Sequence, residues 1–316
     1  METQNAVKIK DSSIEVASYK NNEISLLELV TAVFKYKIAV IAITVLFTLF
    51  GIGYSLSLPN IYQSEALLSA VSEQSGLKMP GQLGGLAALA GINVGNGAGD
   101  KTNLALEVLK SRDFLGKFIE KHDLFVPLMA AKGWSRETNT LQLDPTIYDE
   151  TTQSWVRNVV APYKPKPSLI ESHAAFLKIL IATNDVKTQM VKISVEHYSP
   201  FIAKEWVSLL VKDINDEMRR RDVEEAEKSI AYLNNKIKET NIADIRVQLF
   251  SLVEEQMQTL MIANVRDEYV FKTVDQAIVP EQKAKPKRSL IVVLSVMFGF
   301  ILAVVMVLVR YFFSKK

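Results

Sequence analysis

Few side chains in this sequence are of a type and spacing that could do chemistry. The three histidines, His122, His173 and His197, stand far apart, without the i, i+4 spacing that sets two imidazoles on one helix face for a metal. They read as surface or structural histidines. Cysteine is absent, which excludes a thiolate nucleophile, a disulfide framework and a Cys-based metal site. Gly95 to Thr102 read GNGAGDKT, one residue short of the phosphate-loop pattern GxxxxGK followed by Ser or Thr. Asp100 takes the place of the second glycine; it puts a carboxylate where phosphate would sit and removes a residue free to take positive φ. No apolar strand precedes it, so nucleotide binding is not expected there. The carboxylates mostly lie four residues from a base, as in Arg220 with Glu224, Arg221 with Glu225 and Glu224 with Lys228. That is the pattern of an exposed helix and not of a general acid and base pair. The sequence therefore predicts no catalytic residue, no cofactor and no metal ligand.

The elements are organised by two apolar runs. Leu290 to Val309 carries no charged side chain, and at 1.5 Å per residue about 20 residues cross a hydrocarbon core of ~30 Å. Ile38 to Leu58 is a second uncharged run, too long for the core of a signal peptide. Lys35 and Lys37 flank its start, and no basic residue follows until Lys78, so the N terminus is expected in the cytoplasm and the C terminus returns there. Lys283, Lys285, Lys287 and Arg288 crowd the outer flank of the last run against Arg310, Lys315 and Lys316 on the other. The first span usually sets orientation, so this basic collar is expected to face lipid headgroups. The predicted division is a cytoplasmic tail and interfacial helix over 1–37, a transmembrane helix over 38–58, a periplasmic domain over 59–289, a second transmembrane helix over 290–309 and a short cytoplasmic tail over 310–316. Gly51 with Ser55, Gly53 with Ser57, and Ser295, Gly299 and Ala303 repeat a four-residue spacing of small side chains that lets helices pack closely in a membrane.

Composition supports a membrane protein with a sizeable polar part: 48% of residues are hydrophobic, while 37 basic against 35 acidic residues leave a net charge of +2. Such a balance offers no field for nucleic acid.

Ile24, Ser25 and Glu28 spell a capping box that opens an interfacial helix with Leu26, Leu29, Val30, Val33 and Phe34 on one side. After the first span, Ile61 to Ser72 has strand character. Gly76 to Gly99 holds most of the chain's 13 glycines and reads as a loop with a short helix at Leu86 to Leu89. Thr102 to Leu124 reads as helical with a break at Ser111, followed by an irregular region to Pro167. Ser168 to Ile181 is a predicted helix and Gln189 to Glu196 a predicted strand. From Pro200, placed at the first helical position after Ser199, a helical pattern runs to Val265 without Pro or Gly. Trp206, Leu210 and Ile214 mark one apolar stripe, and Ile230, Leu233 and Ile237 another. Two forms are compatible with this pattern: one rod on the order of 100 Å, or a hairpin whose second helix is capped by Asn241. Neither buries its stripes alone, so self-association is expected. Tyr269 to Val279 alternates as a strand that returns beside the strand after the first span. The expected fold is an α+β periplasmic domain with a membrane-near α/β base and a long extended helix or helical hairpin, anchored by two transmembrane helices.

Four segments, EISLLELVTAVFKYK, PNIYQSEALL, SPFIAKEWVSLLVKDIN and YVFKTVDQAIVPEQKAKPKRSLIVVL, in this order and spacing resemble the Wzz-type chain-length determinants, the polysaccharide co-polymerases of bacterial inner membranes. The collar of that family commonly has three prolines at three-residue spacing. Pro280 and Pro286 match the first and third, Lys283 stands in the middle place, and Pro286, Lys287 and Arg288 match the final PKR. The resemblance implies a non-enzymatic protein that forms ring-like homo-oligomers. It implies the job of setting the modal length of a lipid-linked polysaccharide, such as O-antigen, made by a separate membrane-embedded polymerase. Some relatives carry a tyrosine kinase after the second span; ending at Lys316, this sequence is expected to be of the form without one. Two other readings compete: a membrane adaptor for a separate tyrosine kinase in capsule or exopolysaccharide export, and a two-span ligand sensor, for whose output domain the short flanks leave no room.

Overall fold

The computed structural model describes residues 33–71, 97–185 and 187–314. The capping box at Ser25 and Glu28, and the loop with its short helix before Gly97, lie outside the described residues. In chain order the elements are α1 (Lys37–Ser57), β1 (Tyr62–Ala70), α2 (Gly97–Lys110), α3 (Arg112–Lys121) and α4 (Phe125–Met129). Four short strands follow: β2 (Ala131–Ser135), β3 (Thr140–Leu143), β4 (Tyr148–Asp149) and β5 (Ser154–Trp155). Then come α5 (Leu169–Ile179), β6 (Leu180–Asp185), β7 (Met190–His197), α6 (Pro200–Glu239), α7 (Ala243–Val265), β8 (Phe271–Asp275) and α8 (Arg288–Ser314). They form two compact units, one containing α8 with nearly all of α1, the other running from Leu56 to Lys287.

In the first unit, α1 and α8 are each long and apolar enough to cross a membrane. Three of their hydroxyls are satisfied within the helix: Thr44 Oγ1 donates to the Val40 carbonyl and Thr48 Oγ1 to that of Thr44, both at 2.8 Å, and Ser295 Oγ donates to the Ile291 carbonyl at 2.9 Å. In hydrocarbon this matters, because no water is present to take those donors.

The second unit is built on a four-stranded antiparallel sheet in the order β6-β7-β1-β8. β1 is central and pairs with both β7 and β8, so the strand entering the unit and the strand leaving it are neighbours. Alternate residues Ser64, Ala66 and Leu68 of β1 are buried, as the two-residue period of a strand requires. Ser111 ends α2 and caps α3, its Oγ accepting from Phe114 N–H at 3.2 Å. The amphipathic α3 then buries Phe114, Leu115, Phe118 and Ile119 in the core that also holds Phe176, Trp206 and Leu210. A capping box opens α5: Glu171 N–H donates to Ser168 Oγ, and Ser168 N–H to Glu171 Oε2. β6 follows α5 without a loop, a strand absent from the sequence reading.

Ser199 caps α6 with Pro200 in its first turn. At about 1.5 Å per residue this 40-residue helix is roughly 60 Å long, and its N-terminal part packs Trp206, Leu210 and Ile214 into the core. The chain then turns back. Thr240 and Ile242 are β-branched and extended, with ψ of 124° and 118°, and Thr240 Oγ1 and N–H both donate to the Lys236 carbonyl. These contacts end α6, and α7 returns antiparallel so that Arg219 Nη1 reaches the Arg266 carbonyl at 3.3 Å. The long helical stretch is thus a hairpin. Asn241 does not cap its second helix; Ile242 occupies that position and makes no side-chain bond there.

Candidate functional site

The small residues of α1 and α8 meet in an antiparallel pairing. A Cβ placed on Gly51 would fall inside the contact distance of the Ser295 side chain, and one on Gly299 would stand 2.7 Å from Phe47 Cβ and 3.4 Å from Thr44 Cα. Phe47 and Phe298 pack edge to face with centroids 5.8 Å apart. One step further along, Ala303 and Val307 bury against Val40. Gly53, by contrast, has nothing within 4 Å of its would-be Cβ. Ser55 is buried, and its Oγ makes no hydrogen bond among the described residues.

The chain leaving α1 and the chain approaching α8 are clasped together within the second unit. Ile61 N–H donates to the Lys285 carbonyl at 3.0 Å, and the Ile61 carbonyl accepts from Ala284 N–H at 2.8 Å and Lys285 N–H at 3.2 Å. Lys285 Nζ pairs at 2.7 Å with Glu196 Oε2 of β7, whose side chain is 8% exposed. Lys283 Nζ donates to Asn60 Oδ1 at 3.3 Å. Pro286 follows Lys285 and is half-buried, Lys287 is exposed, and Arg288 opens α8. Lys285 thus meets a carboxylate and Lys283 an amide oxygen of the same unit, while the Lys285 side chain stays 56% exposed.

Of the long-helix stripes, Trp206, Leu210 and Ile214 are in the core, whereas Ile230, Leu233 and Ile237 are half-buried along the hairpin. Near the hairpin's base Tyr269 donates its hydroxyl to Asp222 Oδ2 at 2.6 Å, with Lys101 Nζ 2.7 Å from the same oxygen. Burial and the Asp222 carboxylate push the Tyr269 hydroxyl up to about 12. Gly97 to Thr102 are helical, and Lys101 serves Asp222, so the resemblance to a phosphate loop ends at the level of letters.

The histidines are structural. His122 Nε2 lies 2.9 Å from Asp213 Oδ2, and Lys121 Nζ 2.8 Å from Oδ1. His173 Nε2 donates to the Lys110 carbonyl at 2.9 Å. His197 Nδ1 accepts from Ser199 N–H at 3.0 Å, which leaves its proton on Nε2, donated to the Pro127 carbonyl. Burial holds its pKa below the usual 6.5, so the ring is neutral. Among the described residues no three His, Asp or Glu side chains converge for a metal.

Two of the cavities in the second unit carry several charged or aromatic side chains. One, of about 430 Å³, is flanked by α6 and the β8 region and carries Lys212, Asp216, Arg219, Asp267 and Glu268. The other, of about 340 Å³, is lined by Tyr62, Trp134, Arg136, Phe201, Pro280 and Glu281 among others.

Residues 22–122 match the family model "Wzz: Chain length determinant protein". Residues 241–312 match a second model, "GNVR: G-rich domain on putative tyrosine kinase". Over 138 residues the chain is 30% identical to the tyrosine-protein kinase etk of Escherichia coli K12, and to that of Escherichia coli O157:H7. That match takes in 41% of this chain and 17% of the kinase, so the chain spans well under a third of these curated relatives. Among solved structures, a full-length bacterial polysaccharide co-polymerase is 13% identical, with 92% of this chain and 99% of that one covered at a TM-score of 0.38. A fragment of WzzB, a polysaccharide co-polymerase from Salmonella Typhimurium, is 11% identical, with 71% and 99% covered at 0.27. At these scores neither likeness carries an argument about the fold.

Proposed function

We propose that the chain is a non-enzymatic regulator of the modal length of a lipid-linked surface polysaccharide of the O-antigen type, working as a homo-oligomer beside a separate membrane-embedded polymerase. The match of residues 22–122 to the chain length determinant model carries this reading. It is supported by two apolar helices bracketing one large polar unit. The location that follows is the bacterial inner membrane, with both termini cytoplasmic and an α+β central domain periplasmic. Lys35 and Lys37 at the start of α1 support that orientation. So does the antiparallel pairing of α1 and α8, which sets the residues before one and after the other at the same end of the pair. The contacts of Gly51, Ser295, Gly299 and Ala303 would be where span packing is set, and the collar from Pro280 to Arg288 would link the outer unit to its second span.

A second reading is favoured by the match of residues 241–312 and by the identity to etk: a membrane adaptor for a tyrosine kinase in capsule or exopolysaccharide export. The size distribution of surface polysaccharide on a gel separates the two. Deleting the gene should spread a tight band cluster into a random ladder, and complementation should restore it. Unchanged length with collapsed export or collapsed kinase phosphorylation would replace length control by the adaptor reading.

A further inference from the structure

The aromatic cavity at Tyr62, Trp134 and Phe201 has no part in the packing of the core, and Phe201 leaves 46% of its surface exposed there. Tyr62 and Trp134 meet edge to face, with centroids 5.7 Å apart and planes at 83°; Trp134 and Phe201 are 6.1 Å apart at 55°. All three rings contribute to the cavity wall. The Trp134 indole N–H is already donated to Asn139 Oδ1 at 3.0 Å. Asn139 sits in the β2–β3 turn at φ 52°, a conformation that Asn tolerates better than most residues. The indole is therefore fixed before any ligand arrives, and what it has left to offer is its π-face.

We propose that this cavity is a binding subsite for one sugar ring of a glycan chain; the proposal rests on the polysaccharide reading above. The C–H bonds on one face of a pyranose are weakly positive and fit the negative face of an aromatic ring. Arg136 and Glu281 stand at the same cavity with donors and acceptors suited to hydroxyls, and no hydrogen bond or ion pair among the described residues holds either of them. Rigid aromatic surface lowers the ordering cost of binding. A volume of about 340 Å³ lies at the small end of ligand pockets, which run from about 300 to 1,000 Å³; it suits a ring better than the run of prolines that an aromatic polyproline groove takes. Pro280 contributes to the wall, so an occupant would touch the segment that leads from β8 into the clasp.

The test uses the full chain in lipid nanodiscs and two probes: surface polysaccharide freed of its lipid by mild acid from the strain that carries the gene, and a decaproline peptide. Saturation-transfer NMR on the polysaccharide should show binding that weakens at least tenfold in Trp134→Ala and about threefold in Arg136→Ala. Arg136 is exposed, so its variant should melt as wild type does and keeps the test informative where Trp134→Ala loosens the β2–β3 pair. Absence of transfer in the wild type, equal binding by Arg136→Ala and wild type, or binding of decaproline alone each overturns the subsite. Length control restored by complementation with no glycan bound would remove the subsite and leave the proposed function standing. Lost length control with retained binding would do the reverse.

Discussion

Asn215 and Phe271 exchange hydrogen bonds across the core: Phe271 N–H donates to Asn215 Oδ1 at 2.9 Å, and Asn215 Nδ2 donates to the Phe271 carbonyl at 3.1 Å. Val270 N–H also donates to Oδ1 at 2.8 Å, and Nδ2 to the Val211 carbonyl at 3.0 Å. An Asn side chain has two donors and two acceptor sites, and here all four are used at 4% exposure. The side chain ties α6 to the start of β8. Replacing it by Leu would strand two N–H groups and a carbonyl, each at about 1–3 kcal/mol. Asn215→Leu should therefore lower stability by roughly 3 kcal/mol or more, read as a drop in the urea midpoint of the detergent-solubilised chain. An unchanged midpoint would mean that those groups find other partners.

The three glycines of the helix pair are not equivalent, and the difference can be measured. Overpacking a tight contact costs about 1–3 kcal/mol. Gly299→Leu, which meets Phe47 and the Thr44 backbone, and Gly51→Leu, which meets Ser295, should both force α1 and α8 apart. Gly53→Leu should not. Because the chain has no cysteine, Val40→Cys with Val307→Cys supplies a clean reporter at a contact away from all three. Oxidative cross-linking should persist in Gly53→Leu and fall severalfold in the other two. On the proposed function the same two variants should also broaden polysaccharide length; a normal distribution in both would separate helix packing from length control.

Stability should depend on pH through two groups at opposite ends of the acid range. His197 is buried neutral with its pKa below the ordinary 6.5. The unfolded chain therefore takes up its proton first as pH falls, and stability present above about 6.5 is lost downward through the folded value. Glu171 accepts from Arg157 Nη1 and Nη2 at 2.8 and 2.9 Å, contacts that hold its carboxyl at about 2 against an ordinary 4.5. Its contribution is present above about 4.5 and lost as pH falls toward 2. Between pH 7 and 5 the melting temperature of wild type should fall more steeply than that of His197→Gln. Glu171→Gln should cost about 1–2 kcal/mol at neutral pH, and the gap should close below pH 4. Parallel curves would exclude either contribution.

What the sequence made legible is what repeats or punctuates locally. Both apolar runs, the break at Ser111, the start at Ser168, and the start at Ser199 and Pro200 are signals within a few residues, and helices α1, α3, α5, α6 and α8 begin or end on them. Alternation located β1, β7 and β8, although only the fold gave their order. Asn215, Glu196 and Trp134 were invisible because their partners lie far along the chain or belong to the backbone, and no period records such contacts. Rod against hairpin turned on Thr240 to Ile242, where β-branched residues and a back-bonded threonine end the helix without the Gly or Pro that normally marks a stop. For Trp134 there was a faint signal: polar turn residues from Glu137 to Asn139 between two short strands.

The returning helix of the hairpin carries the clearest prediction about assembly. On α7, Val247 is 68% exposed, Met261 68% and Val265 82%, alongside Phe250 and Met257. A folded helix that leaves this much apolar surface in water gains by covering it, at about 25 cal/mol per Å². A second copy of the chain, as the proposed homo-oligomer requires, would cover it. Glutamate is a good helix former, so Val247→Glu with Met261→Glu should keep the hairpin's helicity while placing two charges in that contact. Burying unpaired charge or losing a central apolar anchor costs about 2 kcal/mol or more per site, which converts to at least a thirtyfold weaker association per site at about 1.4 kcal/mol per tenfold. Mass photometry of the chain in lipid nanodiscs or detergent should then show the assembly falling toward single copies. If the double variant keeps the mass distribution of wild type, α7 faces solvent in the assembly, and the copies must meet through α6 or the helix pair.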